Sequence, residues 1–334
     1  MDMNEYIKLI EETRNKVCGP LCKCMYRLCD KEPIKSHAFQ KNGILKKIAE
    51  KGKVMSFEYK HLYSLSRNES PIAYEERGIG EKNFWFYGFC SVHDKSLFLP
   101  IEESEEKVDW RNERNQYLLA YRTVCRELYI DLKVERILRN CLGFYDTDVL
   151  LANLSNIKSS ITKIVEYKNL FENGIFNEDY SKYYFKIVEL PFKLDLCLAS
   201  PIAISDELNG FCFNNESNHL EQVNVVNIFP YKNRTMIILG FLEGSPNKWV
   251  NEMYENLRSD DIDDVCISLQ DFLFRSEFHC ISKKLYTEIK DELPLFFQEW
   301  NDRKCEYNAK LNYKSNIFKK PIMKSLGHND DEVI

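Results

Sequence analysis

The sequence predicts an α+β chain built from a Cys-rich N-terminal module, a long helical hairpin, and an antiparallel sheet with C-terminal helices. Three observations point there. Four of the 12 cysteines fall between Cys18 and Cys29, a clustering that suits metal ligands better than scattered core positions. Residues 110 to 172 repeat apolar side chains at i, i+3 and i+4. Residues 185 to 243 then break into short segments rich in β-branched and aromatic residues. No helical pattern separates them, so antiparallel pairing is expected over a βαβ fold. These shifts divide the chain into a module at 1–108, the hairpin at 109–175, a sheet domain at 176–320 and a flexible tail at 321–334.

Taken in order, a short helix is expected at 4–15, then the Cys cluster, a strand within PIKSHAF, and a helix over about 41–51. Tyr117, Tyr121, Val124, Cys125, Leu128 and Leu132 share one face of a long helix over 110–141. Gly143 is its expected stop, and Asp146 or Thr147 the cap of a second helix reaching about 172, with Leu150, Leu154, Ile157, Ile161 and Ile164 on one face. Two long helices with so short a connection pack as an antiparallel pair. Strands are expected at FKIVEL, LDLCLAS, GFCF, LEQVNVVNIF and TMIILGFL. Helices return after Pro246. SDDIDDVCISLQDFLF opens on an acidic turn that suits the positive end of a helix dipole, Ser282 caps the next helix, and Pro294 fits the first turn of a last one.

Apolar residues at 44% and aromatics at 13% supply a core and exclude disorder, while Gly 12 and Pro 10 are too few for long linkers. The formal net charge of −6 argues against polybasic binding by the chain as a whole. No run approaches the roughly 18 apolar residues of a membrane-spanning helix. MDMNEYIKLIEETRNK carries charges throughout and lacks a signal peptide's apolar segment, so a cytoplasmic chain without membrane contact is expected. Thiols there stay reduced, and metal ligation or core packing is the expected use of cysteine. Cys125 and Cys266 fall in phase with core residues of their helices. No Walker-type loop and no G-x-S-x-G elbow occurs, which disfavours P-loop nucleotide hydrolysis and serine-hydrolase chemistry.

The chemistry-bearing stretch is Cys24-Met-Tyr-Arg-Leu-Cys29, then Ile34-Lys-Ser-His37, then Gly88-Phe-Cys90-Ser-Val-His93-Asp94. A tetrahedral zinc site takes four S or N ligands, usually as two close pairs from separate turns. Cys24 with Cys29 is one such pair and Cys90 with His93 the other. Cys18 or Cys22 could replace a member of the first pair. His37, at the end of its strand, has three open roles: general base, zinc ligand or structural hydrogen-bonding residue.

The order of turn, strand ending in His, helix and second turn resembles the zinc-stabilised HNH (His-Me finger, treble-clef) nucleases. The resemblance spans about residues 18–100 and implies a treble-clef-like module. It implies that His37 activates the attacking water, that Cys24, Cys29, Cys90 and His93 hold structural zinc, and that Asp94 helps bind a catalytic Mg²⁺ or Mn²⁺. Ser36 stands where the family has a metal-binding Asp or His, so Glu75 or Glu76 is a further candidate to hold that cation. A looser likeness joins the SH dipeptide, GFC-x2-HD and a trailing Pro100-Ile101-Glu102 to a group of bacterial proteins for which phage defence is a plausible context.

Between Arg14 and Lys60 there are 12 basic against 4 acidic residues, with Lys41, Lys46, Lys47 and Lys51 in the densest part. Such a face around His37 suits phosphate contacts. Arg122, Arg126, Lys133 and Arg136, interleaved with acids on the long helix, read as an exposed salt-bridged stripe. The run Phe84, Trp85, Phe86, Tyr87, Phe89 serves either packing around the second turn or base stacking. Two functions follow: a zinc-binding protein acting on nucleic acid, with metal-dependent endonuclease activity as the candidate reaction, or a non-catalytic module whose zinc is purely structural and whose partner is a protein.

Overall fold

The computed structural model describes residues 12–13, 16–17, 19–59, 70, 72–142, 147–204, 222–244, 247–303 and 312–328. Cys18, Gly143, Asp146, the GFCF segment and most of the helix expected at 4–15 lie outside the described residues.

The chain is α+β. The Cys-rich segment leads into β1 (Lys35–His37), a π-turn at Lys41–Leu45 and a single helical turn, α1 (Lys46–Ile48). The helix expected to reach residue 51 ends there because Ala49 turns extended (φ −80°, ψ 129°), and Lys51 and Gly52, with left-handed φ of 52° and 77°, then reverse the chain into β2. Then come β2 (Lys53–Tyr59), β3 (Ile72–Gly78), β4 (Trp85–Tyr87), α2 (Ser91–Glu102), α3 (Glu113–Cys141) and α4 (Thr147–Asn177). The C-terminal half holds β5 (Tyr183–Leu190), β6 (Leu196–Ile204), β7 (Gln222–Tyr231), β8 (Arg234–Leu242), α5 (Lys248–Asn256), α6 (Ile262–Arg275), β9 (His279–Ile281), α7 (Lys283–Ile289), α8 (Leu293–Arg303) and α9 (Lys319–Ser325).

β1 and β4, distant in sequence, form a two-stranded antiparallel sheet, and seven strands form a second sheet in the order β3-β2-β9-β6-β7-β8-β5. Every pair is antiparallel. Alternation along the strands sends Leu196, Leu198, Val226, Ile228, Ile237 and Leu239 into a core shared with α5 to α9. Their neighbours Cys197, Ala199, Val225, Met236 and Ile238 face a second core shared with α3, α4 and the Cys-rich segment. Both faces are therefore covered, and the strands are apolar almost throughout.

Two expectations need correction. Residues 1–108 do not close on themselves, because β2 and β3 leave the Cys-rich segment to extend the large sheet. β9 joins them to it through Met55↔Ile281 and Ser56↔Cys280. The reason lies in KVMSFEY: Val54 packs into one core and Met55 and Phe57 into the other, which requires cover on both faces. The tail expected to be flexible from 321 instead carries α9, since Ile317, Phe318 and Ile322 insert into the core at 1%, 0% and 0% exposure.

α3 and α4 pack along each other as predicted. Tyr117 meets Phe171 edge to face at 5.4 Å, Ser160 donates to Asp131 at 2.7 Å, and the Tyr121 hydroxyl donates to Glu172 at 2.5 Å. The expected exposed arginine stripe is not exposed at its start: Arg122 is 2% accessible. It lies 4.1 Å over the Phe98 ring and pairs with Glu102 on α2 at 2.6 Å, which ties α3 to the Cys-rich unit. Asn112 caps α3 and Ser282 caps α7. No helix among the described residues is long and apolar enough to cross a membrane.

Candidate metal centre

Two backbone turns build the centre. In the first, Cys29 N–H donates to Tyr26 O (3.2 Å) and Leu28 adopts φ 55°, which turns Cys29 back toward Cys24. In the second, Cys90 occupies the N-cap of α2, so His93 falls in its first turn. Backbone bonds from Met25 to Gly88 O and from Ile34 to Phe89 O, both 2.7 Å, zip the turns together. Gly88 is required at this seam because a Cβ there would lie 2.2 Å from Cε2 of Phe86, which is 1% exposed. Gly88→Ala should therefore cost about 1–3 kcal/mol by overpacking, read from urea unfolding midpoints.

The outcome is one group of four ligand atoms, from Cys24, Cys29, Cys90 and His93, all within 4.8 Å of one another. These four residues could hold a metal ion. Cys24 Sγ lies 3.4 Å and Cys90 Sγ 3.5 Å from His93 Nδ1, Cys29 Sγ is 3.9 Å from Cys90 Sγ, and Cys90 N–H donates to Cys24 Sγ at 3.2 Å. The Tyr26 ring packs 4.4 Å from the imidazole and fixes its plane. Burial pushes the Cys24 thiol up to about 12, the expected cost of a thiolate without a cation beside it. Burial opposes ionisation of Cys90 too, yet the N–H groups of His93 and Val92 and hydrogen bonds from Cys24 and Cys29 together hold it below its usual value. Burial, then Lys31, lowers His93 and favours the neutral imidazole that a metal requires. Cys22 is outside the group, and so is His37.

His37 ends β1. It is half-buried, and its Nε2 has no hydrogen-bond partner among the described residues. Burial first, then the charges of Lys41 and Arg122, lower its pKa, while Glu102 opposes them. Asp94, expected to assist His37, is not among the charges acting on it. It sits in the first turn of α2 with its N–H on Cys90 O at 2.8 Å. The acidic residue whose charge does act on His37 is Glu102, eight positions further along the same helix. Glu75 is paired with Arg77, and Glu76 with Lys53 and Lys283, on β3. Ser36, next to His37, is 1% exposed and its hydroxyl has no partner among the described residues. Glu102 and Arg122 were not singled out for this site, although Glu102 closes the Pro100-Ile101-Glu102 run.

Of the four expected phosphate-binding lysines, Lys46 and Lys47 line the same cavity. Lys47 is neutralised by Glu105 at 2.6 Å, and Lys51 sits in the turn before β2. Lys46 lines a cavity of about 410 Å³ together with Gln40, Glu102, Glu105, Trp110 and Tyr231. The Lys41 ammonium reaches Gly80. Lys41 and Lys46 form no ion pair among the described residues. Comparison with protein-family models, with curated proteins and with solved structures finds no match for this chain.

Proposed function

We propose that this chain is a zinc-stabilised, HNH-like protein that acts on nucleic acid by metal-dependent phosphodiester hydrolysis. One observation carries the reading: a Cys24/Cys29 turn, a short β1–β4 antiparallel sheet whose first strand ends at His37, and a helix that presents Cys90 and His93 from its first turn. That is the order of parts in the treble-clef nucleases that the sequence resembles. Zinc suits the donor set, since three thiols and an imidazole are its common ligands. Bond lengths of about 2.3 Å to sulfur and 2.0 Å to nitrogen give a tetrahedron with edges of about 3.8 Å between sulfurs and 3.5 Å from sulfur to nitrogen. The separations of 3.9, 3.4 and 3.5 Å agree with it.

In this reading the zinc contributes folding free energy, and His37 carries the chemistry. A neutral imidazole at the end of β1 accepts a proton from water. Glu102 takes the place first given to Asp94 as the residue that would hold Mg²⁺ or Mn²⁺ near His37. Such a cation, when bound, would neutralise the scissile phosphate and its developing charge. Arg122 fixes the Glu102 carboxylate from α3. Lys41 and Lys46 would meet neighbouring phosphates.

The test is incubation with plasmid, single-stranded DNA and RNA in the presence of Mg²⁺ or Mn²⁺, with cleavage as the expected result. Binding should weaken with salt, log affinity falling by about 0.9 per phosphate contact on duplex and 0.7 on single strands. Reversing Lys41 and Lys46 together should flatten that slope by about two contacts. Reversing Lys47 should do less, because Glu105 already holds its ammonium.

Buried Ser36 favours a second reading. The position where the family carries a metal-binding side chain here holds a neutral hydroxyl at 1% exposure, a poor ligand for a hard dication. Under that reading the zinc is purely structural and the chain binds a protein partner without catalysis. Absence of cleavage with every divalent ion would select it.

A further inference from the structure

The aromatic run around β4 separates into two sets. Phe84, Phe86 and Phe89 are core residues at 0%, 1% and 0% exposure. Trp85 and Tyr87 are half-buried on the other face of the strand. The antiparallel register sets His37 opposite Trp85 and Lys35 opposite Tyr87. Directly opposed residues share a face, so Lys35, His37, Trp85 and Tyr87 lie together. Lys35 Nζ is 4.3 Å from the centre of the Trp85 ring, and Trp85 and Tyr87 meet edge to face at 5.3 Å. The indole N–H donates to Gly80 O at 3.2 Å. A Cβ on Gly80 would meet the Lys41 ammonium at 3.0 Å, so the same glycine brings that cation beside the indole. Like Lys41, Lys35 forms no ion pair among the described residues.

We infer that this face is a base-stacking platform for single-stranded nucleic acid: an unpaired base stacks on Trp85, the flanking phosphates meet Lys35 and Lys41, and the strand thereby passes His37. The inference rests on the nucleic-acid reading above and narrows it to unpaired strands. An aromatic ring gains stacking energy from an exposed base face, which a duplex hides inside its stack. A duplex reader would instead need side chains aimed at base edges in a groove. Lys35 lies over the ring and must swing aside as a base takes its place, while Lys41 lies beside the indole. Forming no ion pair among the described residues, the two complement the phosphates on either side of a stacked base. An apolar protein partner would bury those cations without a counter-charge.

Fluorescence can isolate this residue. Of the four tryptophans, Trp110, Trp249 and Trp300 are 5%, 4% and 7% exposed, which leaves Trp85 as the ring a ligand can reach. The full chain, with its bound metal and no added Mg²⁺, is titrated with an oligothymidylate strand and with a duplex of equal length. Quenching by the single strand is expected, with tighter binding than to the duplex. Trp85→Ala should lose roughly 5- to 150-fold in single-strand affinity, the worth of one base–aromatic stack. Trp85→Phe should recover most of it, which separates stacking from a folding defect. If the duplex binds at least as tightly and Trp85→Ala binds both ligands as the wild type does, the platform is overturned and the nucleic-acid reading stands. If neither ligand binds, both fall.

Discussion

Replacing Cys90 with serine should strip the chain of metal and lower its thermal midpoint by many degrees. Elemental analysis of the wild type should find one zinc per chain, and Cys29→Ser should behave as Cys90→Ser does. Structural zinc contributes about 10–16 kcal/mol in small zinc modules, as much as the whole stability of an ordinary domain, about 5–15 kcal/mol. Part of that loss would be absorbed here, because Cys24, Met25, Phe89 and Cys90 pack into the core formed with α3 and α4. The same sharing spreads the damage to the helical hairpin and, through Phe39 on Phe229, to the large sheet. Cys22→Ser is the control, since that thiol lies outside the ligand group. It should keep its zinc and most of its stability. A metal-free wild type with an unchanged melting profile in Cys90→Ser would sink the metal centre.

The ligand group was legible in the sequence because knuckle chemistry is local: each pair of ligands lies within a few residues. Spacing narrowed the candidates to Cys24, Cys29, Cys90 and His93, with Cys18, Cys22 and His37 as alternatives, and the fold leaves Cys22 and His37 outside the group. The helical hairpin was legible for a similar reason, its faces being written at i, i+3 and i+4. What escaped depends on contacts between distant parts of the chain. β9 is three residues, His279–Ile281, too short to declare itself, yet it carries the pairing that draws β2 into the large sheet. His279 is fully buried there, held between the Ser276 hydroxyl at 2.8 Å and the Tyr74 hydroxyl at 2.9 Å. Arg122 looked like one charge in an alternating stripe, and only the crossing of α2 over α3 buries it against Phe98. Lys47 and Glu105 are 58 positions apart, so a count of local charge gave no sign that they cancel. The charge acting on His37 has the same origin. Asp94 stands beside Cys90 and His93 in sequence, whereas the acid whose charge acts on His37 is Glu102, at the far end of the helix.

His37→Ala should abolish metal-dependent cleavage by about 10²–10⁴-fold, the usual contribution of a positioned general base, while zinc content stays at the wild-type level. Retained zinc is the decisive half of that result, because His37 lies outside the ligand group. Burial and the neighbouring Lys41 and Arg122 charges favour neutral His37 and outweigh Glu102. A lowered pKa means that the proton is already absent at neutral pH. Activity should therefore rise with pH below the ordinary imidazole range and be level across neutrality. Glu102→Gln should reduce cleavage at low Mg²⁺ or Mn²⁺ and recover in part as the ion is raised, since it removes a charge that would hold the cation. Asp94→Asn should change little, because Asp94 lies in the first turn of α2, away from Glu102, and is not among the charges that shift His37. The opposite ranking, with Asp94→Asn inactive and Glu102→Gln unaffected, would return the cation to the first turn of α2. Loss of zinc in His37→Ala would move the histidine from base to ligand. Zinc retained and cleavage unchanged in His37→Ala would remove it from the reaction altogether.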